Sequence, residues 1–544
     1  MKINRLIIFS IILFAIILAT YHQLFQTFYQ QDEWIALGHI MTQTFPKYFE
    51  QFSKTALLGG GGRPLSVPLQ YFLFSNFPFQ AAPFVVFALV FHFLNSLLVF
   101  LLAKKITRNF LIASISAIFF ATSSVSHQAV SWIGASPTTL PSAFFALFSI
   151  LLYFHFLENE KRKFFYLSLF FALISFFFKE SGIFIFILLP LIYRIYKKVS
   201  FYNSLKKHFV IIIYLCVAVL SRVYDLFFVN TGLTTTFVTR NSNTVERIIL
   251  HSFVYPFESL SQVFIFPSIM WKFSHFFLSV VFPFVLHSPS GVLATETMGA
   301  EVISIALSSI ILILIFLVYR NDKKNRKIIL FTLLFFFLSF LPYVFLERGN
   351  AYLDSRYFYL GVVPASIIFS LLVNSIKNRL SKNYFFPIAL LIIIFFYSQI
   401  KFINNELGYQ VNLARERKNF LMSLKKLYPA VPTNSVFYIT GNRDFYVPDH
   451  KIPFQQGMGY TLMVWYYKTG IIPKEFMNSF LWDIKEEGYR EKENKGFGYY
   501  WNLGHLSTDL KRNEINKNRV IALFYDADKE KLVDITKSVR EELK

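Results

Sequence analysis

The chain has 544 residues, 55% of them hydrophobic and only 16% charged. A soluble domain carries about 25% charged residues, so the composition excludes a soluble protein and describes an integral membrane one. The formal net charge of +22 does not point to nucleic acid either, because the positive residues sit in short loops between apolar runs and form no binding face.

A membrane-crossing helix needs roughly 20 apolar residues. In chain order the predicted spans are 6–24, 83–103, 110–125, 138–157, 164–178, 182–196, 208–226, 301–319, 328–345, 357–375 and 383–401. No small-x-small cleavage site follows the first, which reads as a retained anchor. The region 252–290 is apolar but interrupted by Pro256, Pro267, Pro283 and Pro289. It can be a helical hairpin, a re-entrant piece or helices lying in the interface. The expected total is about eleven spans, or about thirteen if that region crosses twice. Both counts are odd, which puts the two termini on opposite sides. The single cysteine, Cys216, falls inside an apolar run, so no intrachain disulfide can form.

Charge sets the orientation. Lys2 and Arg5 precede the first span, and every second loop is basic: Lys104, Lys105 and Arg108; Lys161, Arg162 and Lys163; Lys197, Lys198, Lys206 and Lys207; Lys323, Lys324, Arg326 and Lys327; Lys377, Arg379 and Lys382. By the positive-inside rule these loops and the N-terminus are cytoplasmic. The expected location is therefore the cytoplasmic (inner) membrane, crossed many times. The alternate loops face outward and hold few, isolated charges beside span ends: Asp32 and Glu33, Arg63, His127, Lys179 and Glu180, Arg222 and Asp225, and Asp354 to Tyr357.

After residue 401 the composition changes. Residues 406–427 have the pattern of an amphipathic helix, 435–440 of a strand, and 520–535 of a hairpin around Asp526-Ala527-Asp528. The expected organisation is a transmembrane domain over 1–401 followed by a small extracytoplasmic α/β domain over 402–544.

Those outward charges define a chemistry. Acidic residues at the lip of a span are unusual unless they face a cavity or a substrate. Arg or Lys at span ends can reach a lipid phosphate, each pair contributing on the order of 4 kcal/mol at 4 Å and an effective dielectric near 20. A phosphate on a sugar departs as an anion and needs no general acid. The attacking hydroxyl must lose its proton, and a positioned carboxylate supplies a base worth roughly 10²–10⁴-fold. Asp32 and Glu33 are thus the candidate catalytic residues; neighbours on a helix point about 100° apart, so one serves as base while the other orients an acceptor or pairs with an arginine. Arg63, His127, Lys179, Arg222, Arg356 and Tyr357 are the candidate substrate-binding residues. Asp32 and Glu33 could together hold Mg²⁺ or Mn²⁺ with phosphate oxygens, although a phosphate flanked by arginines does not require a metal. The partners expected are a polyprenyl-phosphate sugar, a hydroxyl acceptor and membrane lipids, with no nucleic acid.

The order Asp32-Glu33-Trp34, Arg63-Pro64-Leu65, His92 and Asn95, Ser126-His127-Gln128-Ala129-Val130, Lys179-Glu180-Ser181-Gly182, Arg222 and Ser355-Arg356-Tyr357-Phe358-Tyr359-Leu360 resembles the GT-C glycosyltransferases. Within them it is most similar to the protein O-mannosyltransferases, including the membrane O-mannosyltransferases that carry tetratricopeptide repeats. The resemblance covers about residues 1–375 and implies a lipid-linked sugar donor, an inverting transfer, and a catalytic acid residue in the first outer loop, here Asp32 or Glu33. It departs at the C-terminus, where the relatives carry helical repeats, and so leaves the acceptor open among protein, lipid and glycan. Two other readings share the cationic outer face: a flippase or transporter of lipid-linked sugars, and an O-antigen ligase or polymerase. A transporter calls for internal pseudo-symmetry, and no repeat is seen; the ligases concentrate their chemistry in a late outer loop.

Overall fold

The structure is a computed structural model. It describes residues 2–30, 32–53, 63–211, 213, 214, 216, 244–265, 267–281, 289–344, 353, 355–379, 384–432, 435–446, 450–454, 458–466, 498–512 and 515–543.

Hydropathy finds its helices. Among the described residues seven are long and apolar enough to cross a membrane: Arg5–Gln26, Ala82–Thr107, Ser136–Asn159, Gly299–Asn321, Arg326–Tyr343, Ser355–Asn378 and Phe385–Leu427. The protein is thus a polytopic helical membrane protein with a small sheet near its C-terminus. Three of the predicted spans are shorter helices, Phe110–Ala121, Arg162–Phe178 and Phe184–Lys197. The first stops where the run Thr122-Ser123-Ser124 begins, and its 12 residues reach only about 18 Å. The span expected at 208–226 falls mostly outside the described residues. In the proline-interrupted region two helices form, Thr244–Gln262 and Pro267–Val281. Pro256 is carried inside the first, whereas Pro267 opens the second, the position where its missing N–H costs nothing.

The chain divides into two compact units. The first comprises Met1–His22, Phe52–Ser66 and Val86–Asn405. In hydrocarbon, helices associate through small residues and interhelical hydrogen bonds, and this unit uses both. Helices Ser136–Asn159 and Arg162–Phe178 are joined by two serine pairs one heptad apart. Ser142 Oγ donates to the Ser175 carbonyl at 2.9 Å and Ser175 Oγ returns a bond to the Ser142 carbonyl at 2.8 Å; Ser149 Oγ donates to the Ser168 carbonyl at 2.7 Å.

A second knot ties four helices. His92 Nε2 donates to the Ala121 carbonyl at 3.1 Å, which leaves Nδ1 to accept from the Tyr359 hydroxyl at 2.9 Å. Asn95 Nδ2 donates to that hydroxyl at 3.1 Å and to the Leu140 carbonyl at 3.0 Å. His92 and Asn95 are thus engaged in interhelical bonds, the structural role such residues usually have in a span.

The second unit comprises Gln23–Gln51, Val67–Val85 and Glu406–Lys544. Its sheet has the order β2-β1-β3-β4, with β1 Val436–Gly441, β2 Gly498–Tyr500, β3 Val520–Asp526 and β4 Lys531–Asp534. β1 runs parallel to β2 and β3, and β4 pairs antiparallel to β3, as the hairpin pattern indicates. Leu506, Leu510, Val539 and Leu543 cover one face against Val436, Val520 and Ala522. The amphipathic stretch 406–427 is no separate helix: with no proline between Pro387 and Pro429 to stop it, it continues the last apolar span as Phe385–Leu427.

This unit also fixes the helix Asp32–Thr42. Trp34 is fully buried, its ring packed edge-on to Phe28 and Tyr29 at 5.7 and 5.5 Å. Helix Met458–Tyr466 packs against it.

Candidate functional site

In the first unit the end of helix Arg162–Phe178 organises a cluster of charged side chains. The helix stops at Lys179, whose backbone is extended (φ −157°, ψ 138°), and a 3-10 turn follows over Glu180–Ile183. Gly182 permits this tight return: a Cβ there would stand 2.8 Å from the Phe176 nitrogen and 2.6 Å from Ser175 Oγ. The Leu65 N–H donates to the Phe177 carbonyl at 3.3 Å, which lays Arg63-Pro64-Leu65 alongside the same helix end.

Arg63 and Glu180 meet there in a fork, Nε to Oε2 at 3.0 Å and Nη2 to Oε1 at 2.9 Å. The two side chains are 37% and 39% accessible although protein crowds them enough for desolvation to weigh on both. The pair is therefore partly open to solvent while the surrounding protein still imposes a desolvation cost. Burial alone would push the Glu180 carboxyl up, but Arg63 and Lys179 outweigh it and bring it down to about 2. The Glu180 carboxylate in turn raises Arg63.

Lys179 does not pair with its sequence neighbour. It is buried, donates to Thr139 Oγ1 at 2.8 Å and stands 5.6 Å from the Tyr357 ring centroid. Burial, then Arg63, lower its ammonium to about 7 against the partial support of Glu180, with Arg356 adding to the fall. Arg63 and Arg356 therefore both act on Lys179.

The 3-10 turn Ser355–Phe358 brings the remaining pieces. The Arg356 guanidinium lies 4.3 Å from the Trp132 ring centroid and 4.8 Å from that of Tyr357, and donates to the Tyr357 hydroxyl at 3.1 Å. The Tyr357 ring packs at a tilt against Tyr343, centroids 4.6 Å apart, and Tyr343 hydrogen-bonds Ser181. Ser355 Oγ donates to the Val125 carbonyl at 2.7 Å and lies 3.3 Å from His127 Nδ1. His127 is buried and donates from Nδ1 to the Ser124 carbonyl at 2.7 Å, while its Nε2 has no partner.

Four of the expected binding residues, Arg63, Lys179, Arg356 and Tyr357, thus lie together, with His127 joined through Ser355. Glu180, Thr139, Trp132 and Tyr343 were not among the expected binders. Trp132 has the look of an interfacial anchor in sequence, and the Thr139 contact has no local signal. Arg222, Asp225, Asp354 and the glycines 59–62 fall outside the described residues.

Asp32 and Glu33 belong to the second unit. Asp32 opens the helix Asp32–Thr42, and only its backbone is described. Glu33 is buried, accepts from the Gln30 N–H at 3.2 Å and attracts the buried Arg417 guanidinium. Arg417 also donates to the Tyr446 hydroxyl at 3.1 Å. Among the described residues no three His, Cys, Asp or Glu side chains gather as metal ligands.

No protein-family model matches the chain, and no curated protein matches it. Among solved structures it is similar to an archaeal oligosaccharyltransferase, AglB from Archaeoglobus fulgidus, in complex with an inhibitory peptide and a dolichol-phosphate. The identity is 14% and the TM-score 0.43; the match covers 81% of this chain and 62% of that one, so the chain spans less than two thirds of that protein's length.

Proposed function

We propose that this chain is a glycosyltransferase of the GT-C class. It moves one sugar, with inversion, from a polyprenyl phosphate to an acceptor hydroxyl at the extracytoplasmic face of the membrane. The observation that carries this reading is the cluster of Arg63 and Lys179 about a single carboxylate, Glu180, with Arg356 close enough to act on Lys179. Three cations against one anion leave a surplus of positive charge that suits a lipid phosphate at headgroup depth. The motif order that resembles the GT-C enzymes supports the same reading.

In the mechanism the cations hold the donor phosphate and stabilise the charge that develops on it as the glycosidic bond breaks. The acceptor hydroxyl attacks the anomeric carbon from the opposite side and gives its proton to a carboxylate. The resemblance to the GT-C enzymes implies Asp32 or Glu33 for that task; we assign it to Asp32, with Glu33 as its orienting neighbour. The domain over 402–544 presents the acceptor. Since phosphate leaves as a stabilised anion, transfer is expected to persist in EDTA; its loss there would assign a metal to Asp32 and Glu33.

The test uses the full chain in lipid nanodiscs with undecaprenyl-phosphate sugars and a membrane extract as acceptor source. Transfer that disappears in Asp32→Asn supports the reading. Donor binding without any cleavage would instead favour a carrier of lipid-linked sugars.

A further inference from the structure

The segment from His127 to Trp132 carries three side-chain polar atoms that are shielded from solvent and have no partner: His127 Nε2, Ser131 Oγ and Trp132 Nε1. His127 is 6% and Ser131 5% exposed. Leaving such a group unsatisfied costs about 1–3 kcal/mol, and three on six residues is an unusual concentration. The Ser131 N–H bonds the His127 carbonyl at 2.9 Å, so these two residues are one helical turn apart and share a face. Trp132 follows directly, and its ring carries the Arg356 guanidinium at 4.3 Å. Trp132 through Arg356, and His127 through Ser355 at 3.3 Å, thus join this segment to the turn that carries the cationic cluster.

Their hydrogen-bonding character is fixed by their neighbours. A carbonyl only accepts, so the 2.7 Å contact with the Ser124 carbonyl puts the proton of the imidazole on Nδ1. Ser355 Oγ spends its proton on the Val125 carbonyl, so it too accepts from that side. Burial keeps the ring neutral, and Nε2 is then a bare lone pair. Trp132 Nε1 can only donate, and Ser131 Oγ can do both. A phosphodiester brings acceptors alone and would be repelled by the Nε2 lone pair. A hydroxyl both donates and accepts, and matches the mixture.

We propose that His127, Ser131 and Trp132 form a subsite for the hydroxyls of the donor's sugar ring, beside the cations that take its phosphate. His127 Nε2 accepts from one sugar hydroxyl and Trp132 Nε1 donates to it or to its neighbour. The proposal rests on the glycosyltransferase reading and narrows His127 from a general contact to a hydroxyl acceptor.

Two probes separate the subsite from the phosphate site: undecaprenyl phosphate, and the same lipid carrying a single hexose, drawn from glucose, mannose and galactose. Their affinities for the full chain in nanodiscs are measured for the wild type and for H127F, S131A and W132F. H127F and W132F are expected to lower the preference for the sugar-bearing lipid about tenfold, the scale of one buried hydrogen bond left unmade, with little change for the bare lipid. S131A is expected to have a smaller effect in the same sense. An unchanged preference in all three variants means that the orphaned atoms serve only water, and overturns the proposal. An equal loss for both lipids means a structural or phosphate role, and also overturns it. If the wild type binds neither lipid, the glycosyltransferase reading itself fails, an outcome distinct from these.

Discussion

Arg63 grips Glu180 through two hydrogen bonds of 3.0 and 2.9 Å across 117 residues of sequence. The fork fixes the position of the guanidinium while its carboxylate partner limits the local charge. Because both side chains are more than a third accessible, the pair contributes little to stability, at most about 1 kcal/mol. Its value lies in placement.

R63K keeps the charge but cannot make the planar fork. It should weaken binding of the polyprenyl-phosphate sugar about tenfold, and R63A further, for the loss of a charged hydrogen bond worth about 1.5–3 kcal/mol. Neither should move the melting temperature of the detergent-solubilised protein by more than a few degrees. A large drop in that temperature with unchanged lipid affinity would assign Arg63 to architecture.

Lys179 gives the pocket a pH dependence. Its ammonium, held near pH 7 by burial and by Arg63, regains its ordinary basicity when a phosphodiester arrives, so binding takes up a proton above pH 7. Affinity for the donor should fall as pH rises from 7 to 9, approaching one log unit per pH unit, and K179R should flatten the profile. The free protein shows the opposite trend. The unfolded state binds the extra proton between the folded value and the ordinary 10.5, so Lys179's contribution to stability rises with pH across that window. Isothermal titrations at several pH values check the first statement, and thermal melts the second.

Gly182 sets the turn that presents both groups. In G182A the new methyl meets the Phe176 backbone nitrogen at 2.8 Å, and overpacking of this kind costs typically about 1–3 kcal/mol. The turn must shift, carrying Glu180 away from Arg63. Donor affinity and melting temperature should fall together, and intact donor affinity in G182A would show that the turn tolerates displacement.

Much of this was legible in the sequence, because hydropathy and charge bias are local signals. The long spans, the strand at 435–440 and the hairpin at 520–535 follow from residues within one window. So does the concentration of reactive types in Arg63, Lys179 and Arg356. What could not be read is who pairs with whom. Lys179 and Glu180 are adjacent, a spacing that suits mutual neutralisation; the helix end instead sends one to Thr139 and the other to Arg63. Trp132 is indistinguishable in sequence from a headgroup anchor until Arg356 is found on its face. The grouping of residues 23–51 and 67–85 with the C-terminal segment likewise depends on contacts far apart in the chain.

Glu33 and Asp32 should separate by phenotype. E33Q disturbs the charge balance of buried Arg417 and is expected to lower the melting temperature while leaving measurable transfer. D32N is expected to leave stability and donor affinity near wild type and to cut turnover by roughly 10²–10⁴-fold, the worth of a general base. A reversal of the two phenotypes would move the base to Glu33.

The most direct measurement is single-turnover transfer of a radiolabelled sugar from undecaprenyl phosphate by the purified chain, wild type against a triple variant R63A/K179A/R356A. With a membrane extract as the source of acceptor hydroxyls, the account predicts sugar transfer and release of undecaprenyl phosphate by the wild type, and neither by the variant. Equal transfer by both proteins would contradict it, since the three cations would then have no part in holding the donor.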